Sequence, residues 1–169
     1  QAVTGTAPAI LTRLLHRSLL QRQEDATGEV RYLMHELLRQ FAAEELNHAG
    51  ERALVEAQHG RYYLAYLAAR GLRLGRQEPK EACAEIQVEL DNVRLAWQWA
   101  AAQGELVELD QAIYAWWQFC QFQGLETEGR QSFALAVEGV RRQITITTAD
   151  AEYALLGQRL LAKLLAIHA

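Results

Sequence analysis

The residues able to do chemistry are few and scattered. His16, His35, His48, His59 and His168 are spread along the chain, and Cys83 and Cys120 stand alone. Neither cysteine belongs to a C-x-x-C pair, so the reading is two reduced, buried thiols in a cytoplasmic protein. The two lysines, Lys80 and Lys163, do not follow a glycine-rich turn, and no G-x-x-x-x-G-K-[ST] phosphate loop occurs. No G-x-S-x-G elbow occurs either. His35-Glu36 continues as Leu37-Leu38-Arg39, which offers no second histidine one helical turn on and so no H-E-x-x-H zinc site. Glu44/Glu45 and Glu89/Asp91 fall on expected helices at the spacing of solvated faces. These patterns point to a chain that is not an enzyme and has no metal ligands.

The elements that must carry these residues are mainly helices. Leu, Ala, Glu, Gln and Arg dominate, half of the chain is hydrophobic, and there are two prolines. Residues 8–18 predict a helix, with Pro8 in its first turn and Ile10, Leu11, Leu14 and Leu15 as its apolar stripe. The period then changes. Leu20 and Arg22, then Val30, Tyr32 and Met34, alternate with polar neighbours around Glu24–Glu29, which predicts a β-hairpin. A helix over 36–47 carries Leu37, Leu38, Phe41, Ala42 and Leu46 on one face. Helix, hairpin, helix is the local order of the back half of a winged helix.

Five further stretches predict helices. The first covers 51–74, with Leu54, Tyr62, Tyr63, Tyr66 and Leu67 on its buried side; the second covers 80–103, ending at Gly104. The third covers 106–123, and beyond Gly124 a partner covers 126–141. The β-branched run Ile144–Thr148 reads as a loop with an extended bias. Thr148 or Asp150 would cap a last helix over 150–167.

Net charge is −4, which speaks against nucleic acid as the main partner, since such modules usually carry a basic stripe. No apolar run reaches the roughly 18–20 residues that span a bilayer. The chain begins at Gln1 in mid-pattern and reads as a piece of something longer.

The segment Val30-Arg31-Tyr32-Leu33-Met34-His35-Glu36-Leu37-Leu38 resembles the winged helix of the signal-transduction ATPases with numerous domains, the STAND proteins. Met34-His35-Glu36 is similar to that family's Met-His-Asp motif, with Glu in place of Asp. Leu14-Leu15-His16-Arg17-Ser18-Leu19-Leu20 resembles the helix-to-strand passage of the same domain. Arg61-Tyr62-Tyr63-Leu64 and Glu89-Leu90-Asp91-Asn92-Val93-Arg94-Leu95-Ala96-Trp97 are similar to the connector that follows it in bacterial members, many of which are transcriptional regulators. The resemblance covers most of residues 1–140. It implies that the winged helix closes over an ATPase module elsewhere in the protein and that His35 contacts the β-phosphate of bound ADP. An imidazole at a strand-to-helix junction suits that role. The alternative is a histidine that simply starts a helix, with Glu36 favoured in the first turn by the helix dipole. Within this chain no cofactor is expected; ADP or ATP belongs to the full-length protein.

Residues 110–143 are similar to a tetratricopeptide repeat, with Gly124 at the turn, small residues at Gly129 and Ala136, and an aromatic at Phe133. Trp117 stands where that motif has Gly or Ala, and Cys120 where it has Tyr, so the repeat is degenerate. The last helix would be half of the next repeat. Its Leu155, Leu156, Leu160, Leu161, Leu164 and Leu165 would form an uncovered stripe that favours self-association.

The aromatic cluster Trp97, Trp99, Trp116, Trp117, Phe119 and Phe122 permits two readings. One is core. The other is a groove in which Trp99, Trp117 and Phe119 receive a protein or small inducer. Adjacent tryptophans cannot both face one core, so one of Trp116 and Trp117 must point elsewhere.

The expected organisation is a mostly all-α chain. It has the C-terminal part of a winged helix with a short hairpin at 1–47, a helical connector at 48–105, and antiparallel helix pairs of a truncated tetratricopeptide-like solenoid at 106–169. The expected function is regulatory. The winged helix restrains the nucleotide module, and the repeats bind a partner. The rival is a DNA-binding regulator in which residues 8–18 act as recognition helix, with Arg13, His16 and Arg17 facing phosphates.

Overall fold

The computed structural model describes residues 8–24, 30–75, 79–146 and 151–168. The chain is mostly helical with one small hairpin, and it divides into two compact units, Gln1–Gln58 and His59–Ala169.

The first unit begins with α1 (Pro8–His16). The helix is two residues shorter than its apolar pattern suggests because Ser18 takes a left-handed φ of 56°. The Ser18 N–H then donates to the Leu15 carbonyl and the Leu19 N–H to the Leu14 carbonyl, a Schellman closure. Strands β1 (Gln21–Glu24) and β2 (Val30–Leu33) pair antiparallel, with Arg22 opposite Tyr32. The expected turn at residues 25–29 lies outside the described residues. Helix α2 (Glu36–His48) follows and closes on Gly50, which has a φ of 72°. Among the described residues of this unit, Leu20 alone is buried. Leu37 and Phe41 are 69% and 59% exposed.

The second unit takes most of the long helix α3 (Arg52–Leu74), then α4 (Pro79–Val88), α5 (Leu90–Gln103), α6 (Leu106–Gln123), α7 (Glu126–Ile146) and α8 (Ala151–His168). Three local expectations are corrected here. The single helix over 80–103 is two, broken at Glu89, whose φ and ψ are −105° and 14°. The Glu89 carboxylate accepts from Asn92 Nδ2 at 2.7 Å and so holds the first turn of α5. Ile86 and Leu90, on either side of the break, both face the core.

Residues Ile144–Ile146 are the last turn of α7 rather than an extended loop. Ile144 packs where α8 presents Gly157, and a Cβ there would meet Ile144 Cγ1 at 2.7 Å. This tertiary contact outweighs the weak helix propensity of β-branched residues. Thr147, Thr148 and Asp150 lie outside the described residues.

Leu54 and Tyr62 are exposed rather than buried, because the buried face of α3 is centred on Gly60, Leu64, Leu67, Gly71 and Leu74. The aromatic pattern points to one side of that face.

Residue pairs fix the helix directions. Arg94 meets Glu128, Trp97 meets Ser132, and Gly139 lies against the Ala101 carbonyl, so α5 and α7 run parallel. Leu106 lies at Gly157 and Asp110 at Lys163, so α6 and α8 are also parallel. Trp116 meets Ser132 and Cys120 meets Gly129, so α6 and α7 are antiparallel. From α5 to α8 successive helices reverse, and alternate helices lie side by side. This is the layering of stacked helix pairs.

The core lies between these layers. Trp97 and Trp116 stack with centroids 6.0 Å apart, Phe119 stacks on Trp116 at 5.8 Å, and Phe133 meets Trp97 edge-on at 5.6 Å. All four rings are buried. The expected bare stripe on α8 is half covered, since Leu160 and Leu164 are fully buried under α6 and α7 while Leu155 and Leu165 stay exposed.

Candidate functional site

His35 sits one residue before α2, with φ −61° and ψ 139°, and caps it. Its Nδ1 accepts from the Leu37 N–H at 3.3 Å. An accepting nitrogen carries no proton, so the neutral ring has its proton on Nε2. The ring is exposed at the N-terminus of α2, where Glu36 already occupies the first turn. The bond to Leu37 makes His35 the cap of α2.

Next to it, Glu36 accepts from Arg39 Nε at 2.7 Å and Nη2 at 2.6 Å, and from Gln40 Nε2 at 2.9 Å. Hydrogen bonds from Arg39, then Gln40, hold its carboxyl down at about 2, so it is charged at neutral pH. Glu36 is thereby tied up in an ion pair with Arg39. The same unit holds an apolar groove of about 500 Å³, lined by Leu14, Met34, Leu38 and Phe41, with Glu45 and Glu51 also on its lining.

In the second unit, the groove residues expected from sequence are Trp99, Trp117 and Phe119. The structure does not bring them together as one surface. Phe119 is fully buried, which removes it from any ligand surface. Its period on α6 puts it one turn below Trp116, in the core stack. Trp99 is half-buried and covers Gly60, with the Arg61 guanidinium 5.9 Å above its ring. Trp117 is half-buried and lines a small cavity of about 170 Å³ with Gly129, Arg130 and Ile167. Of the adjacent tryptophans, Trp116 faces the core and Trp117 the edge, as helical geometry requires. Phe122, grouped with this cluster, is exposed.

A larger open cavity of about 600 Å³ lies elsewhere, against Trp97, Trp116, Leu125, Gln131 and Leu135. Ser132 organises its floor. Its carbonyl accepts from Trp97 Nε1 at 2.9 Å, its hydroxyl accepts from Trp116 Nε1 at 2.7 Å, and that hydroxyl donates to the Gly129 carbonyl at 2.8 Å. Arg94 forms a fork to Glu128, Nε at 2.6 Å and Nη2 at 2.8 Å, with Asp91 on Nη1 at 2.9 Å. These bonds raise the Arg94 pKa further above its ordinary value. Nothing in the sequence signals this pairing, because Arg94 and Glu128 lie on different helices and neither spacing nor charge pattern links them.

Burial, then the nearby Glu128 charge, pushes Cys120 up to about 12, and Cys83 is also buried. Among the described residues no three His, Cys, Asp or Glu side chains converge to hold a metal, and no helix is long and apolar enough to cross a membrane. Arg13, His16 and Arg17 are exposed on and just after α1.

No family model matches the chain, and no solved structure matches it. Curated relatives do. The chain is 36% identical over 98 residues, 58% of its own length, to the "Putative HTH-type transcriptional regulator Mb0914c" of Mycobacterium bovis. It matches a protein named in the same way from Mycobacterium tuberculosis with the same identity and coverage. The matched stretch is 11% of each relative, so the chain spans about a tenth of the length of the proteins it resembles. Those relatives carry the name of regulators, and the similarity to this chain is to one segment of them.

Proposed function

We propose that this chain is a non-catalytic regulatory and interaction region of a cytoplasmic transcriptional regulator of the signal-transduction ATPase kind. The observation that carries the reading is the similarity to a segment of long HTH-type transcriptional regulators. Two features support its finer parts. In the first unit, at the junction of hairpin and helix, the exposed His35 caps α2 through Nδ1 and leaves Nε2 for another partner. In the full-length protein this donor would meet the phosphate of bound ADP and hold the winged helix over the nucleotide module. On this chain one donor fits a phosphate; the remaining ligands of a nucleotide would come from that module. In the second unit, alternating helix layers with Gly129, Phe133 and Ala136 buried at the α6–α7 contact support a degenerate tetratricopeptide-like array. Binding of a protein or inducer to the array would favour the open state and release the clamp.

Calorimetric titration of ADP into the full-length protein tests the clamp. His35→Ala should weaken ADP binding about tenfold, the scale of one charge-assisted hydrogen bond. Unchanged affinity would remove His35 from the site.

A second reading, a DNA-binding winged helix, is favoured by the exposed Arg13 and Arg17 on and after α1. A gel shift with this chain separates the two. The clamp reading expects weak, salt-labile binding at most. Tight binding lost in Arg13→Ala/Arg17→Ala would favour the DNA reading.

A further inference from the structure

We propose that the open cavity between α5 and α7 is a binding site for a small uncharged molecule that joins an apolar part to a carboxamide-like donor and acceptor. This deepens the reading of the array as the part that receives an inducer, and rests on it. The volume of about 600 Å³ lies within the range of small-molecule sites. Two parallel helices wall it. Arg94 and Gln98 line it one turn apart on α5, and Thr127, Gln131 and Leu135 follow at four-residue steps on α7. The Arg94 fork to Glu128 and the Trp97 Nε1 bond to the Ser132 carbonyl both cross from α5 to α7. These ties hold the walls in place before a ligand arrives, which lowers the cost of binding.

Charge and hydrogen bonding select the class. Arg94 and Glu128 are the charged residues on the lining, and each is matched by the other. Asp91, off the lining, takes Nη1. An anion would meet Glu128 and a cation would meet Arg94, so neither gains from the charge already present. The floor is spent as well. The Trp97 and Trp116 N–H groups both end on Ser132, whose hydroxyl donates to the Gly129 carbonyl. The groups left are the Gln98 and Gln131 carboxamides and the Thr127 hydroxyl, all exposed and without a hydrogen bond among the described residues. A carboxamide offers a donor and an acceptor side by side, the pattern that another amide complements. Leu135, 49% exposed, and the half-buried Leu125 add apolar wall. A neutral amphipathic molecule satisfies both kinds of surface at once.

Proton–nitrogen correlation NMR of the 169-residue chain tests it, because the four tryptophans give separate indole N–H signals and Trp97 and Trp116 border the cavity. Trp99→Phe and Trp117→Phe identify the other two signals. The probe is naphthylacetamide, with naphthylacetate and naphthylethylammonium as an anion and a cation of closely similar shape. Naphthylacetamide should shift the Trp97 and Trp116 signals saturably and leave those of Trp99 and Trp117 in place. The charged analogues should bind about tenfold more weakly or worse, since each brings an unmatched charge. Gln98→Ala/Gln131→Ala should weaken naphthylacetamide about tenfold, the scale of one or two neutral hydrogen bonds, and both side chains are exposed, so the fold should hold. Equal binding of the three probes overturns the proposal, as does an unchanged affinity in the glutamine variant. Saturable shifts confined to Trp99 or Trp117 overturn this site alone and leave the array as the receiving part. No shift at any of the four signals overturns the site and counts against the array reading as well.

Discussion

Helices α2 and α6 begin from similar instructions and end in different places. Both are amphipathic, and both carry aromatic and aliphatic residues at helical spacing. In α6 that spacing is used for burial, from Leu106 and Leu109 through Trp116 to Cys120. In α2 no residue is buried, and Phe41 faces outward at the groove. The difference is not in the helices but in their neighbours. The second unit supplies α5, α7 and α8 around α6, whereas the first supplies one short helix and a hairpin. An amphipathic pattern thus states that a face wants cover and leaves open whether this chain provides it.

Substitutions in the two units test this contrast. All four tryptophans lie in the second unit, so intrinsic fluorescence reports on that unit alone. The largest effect should come from Trp116→Ala. It removes the central ring of the stack and the donor to Ser132, and should cost about 3–5 kcal/mol in a denaturant titration. If fluorescence unfolding barely moves, the stack is not the keystone of the core.

Gly139→Ala comes next. A Cβ there would run into the Ala101 carbonyl backbone, which has no flexible end to give way. Parting α5 and α7 should cost about 1–3 kcal/mol, the range for overpacking. The same substitution at Gly50 meets no atom within 4 Å and acts only through its positive φ, so its loss should be smaller and confined to the first unit.

Glu128→Gln breaks the fork to Arg94. The pair is about one third exposed, so after solvent screening the expected loss is about 1 kcal/mol. Added salt should shrink it further.

Alkaline pH probes the same region. Cys120 titrates at about 12 in the folded chain, above its ordinary value of 9.0. Burial favours the neutral thiol, so its contribution to stability is intact below pH 9 and is lost as pH rises from there toward 12. Stability read by fluorescence should fall more steeply over that window, and Cys120→Ala should flatten the fall. At pH 8 the native thiol should resist alkylation that the unfolded chain undergoes readily.

The smallest expected effect is a gain. Ser18 holds a left-handed φ of 56° at the end of α1, where glycine fits without strain. Ser18→Gly should stabilise the first unit by roughly 0.5–1 kcal/mol, read as helix signal, with tryptophan fluorescence unchanged. A fluorescence change would couple the two units and undo the comparison.

Much of the candidate site is legible in the sequence as types and order. Met34-His35-Glu36 marks the strand-to-helix junction, and His35 is the cap. Which ring nitrogen caps the helix is not legible, because that depends on the Leu37 N–H. Phe119 reads as a groove residue in sequence because helical spacing alone does not distinguish the face toward α7 from the open side. Ser132, the node beneath both tryptophans, carries no sequence signal at all.

Local causes account for a mostly helical chain with a short hairpin, for helix ends placed to within a few residues, and for His35 at the head of one helix. Periodicity, prolines, glycines and caps each act within a few residues, so the linear sequence is enough to read them. Three other features needed the folded chain: the break at Glu89 that makes two helices of one, the helical turn Ile144–Ile146 held against Gly157, and the Arg94–Glu128 pair, 34 positions apart. Each depends on which faces meet across space. His35 shows the local side of the same rule, since neighbouring residues alone place it at the head of α2.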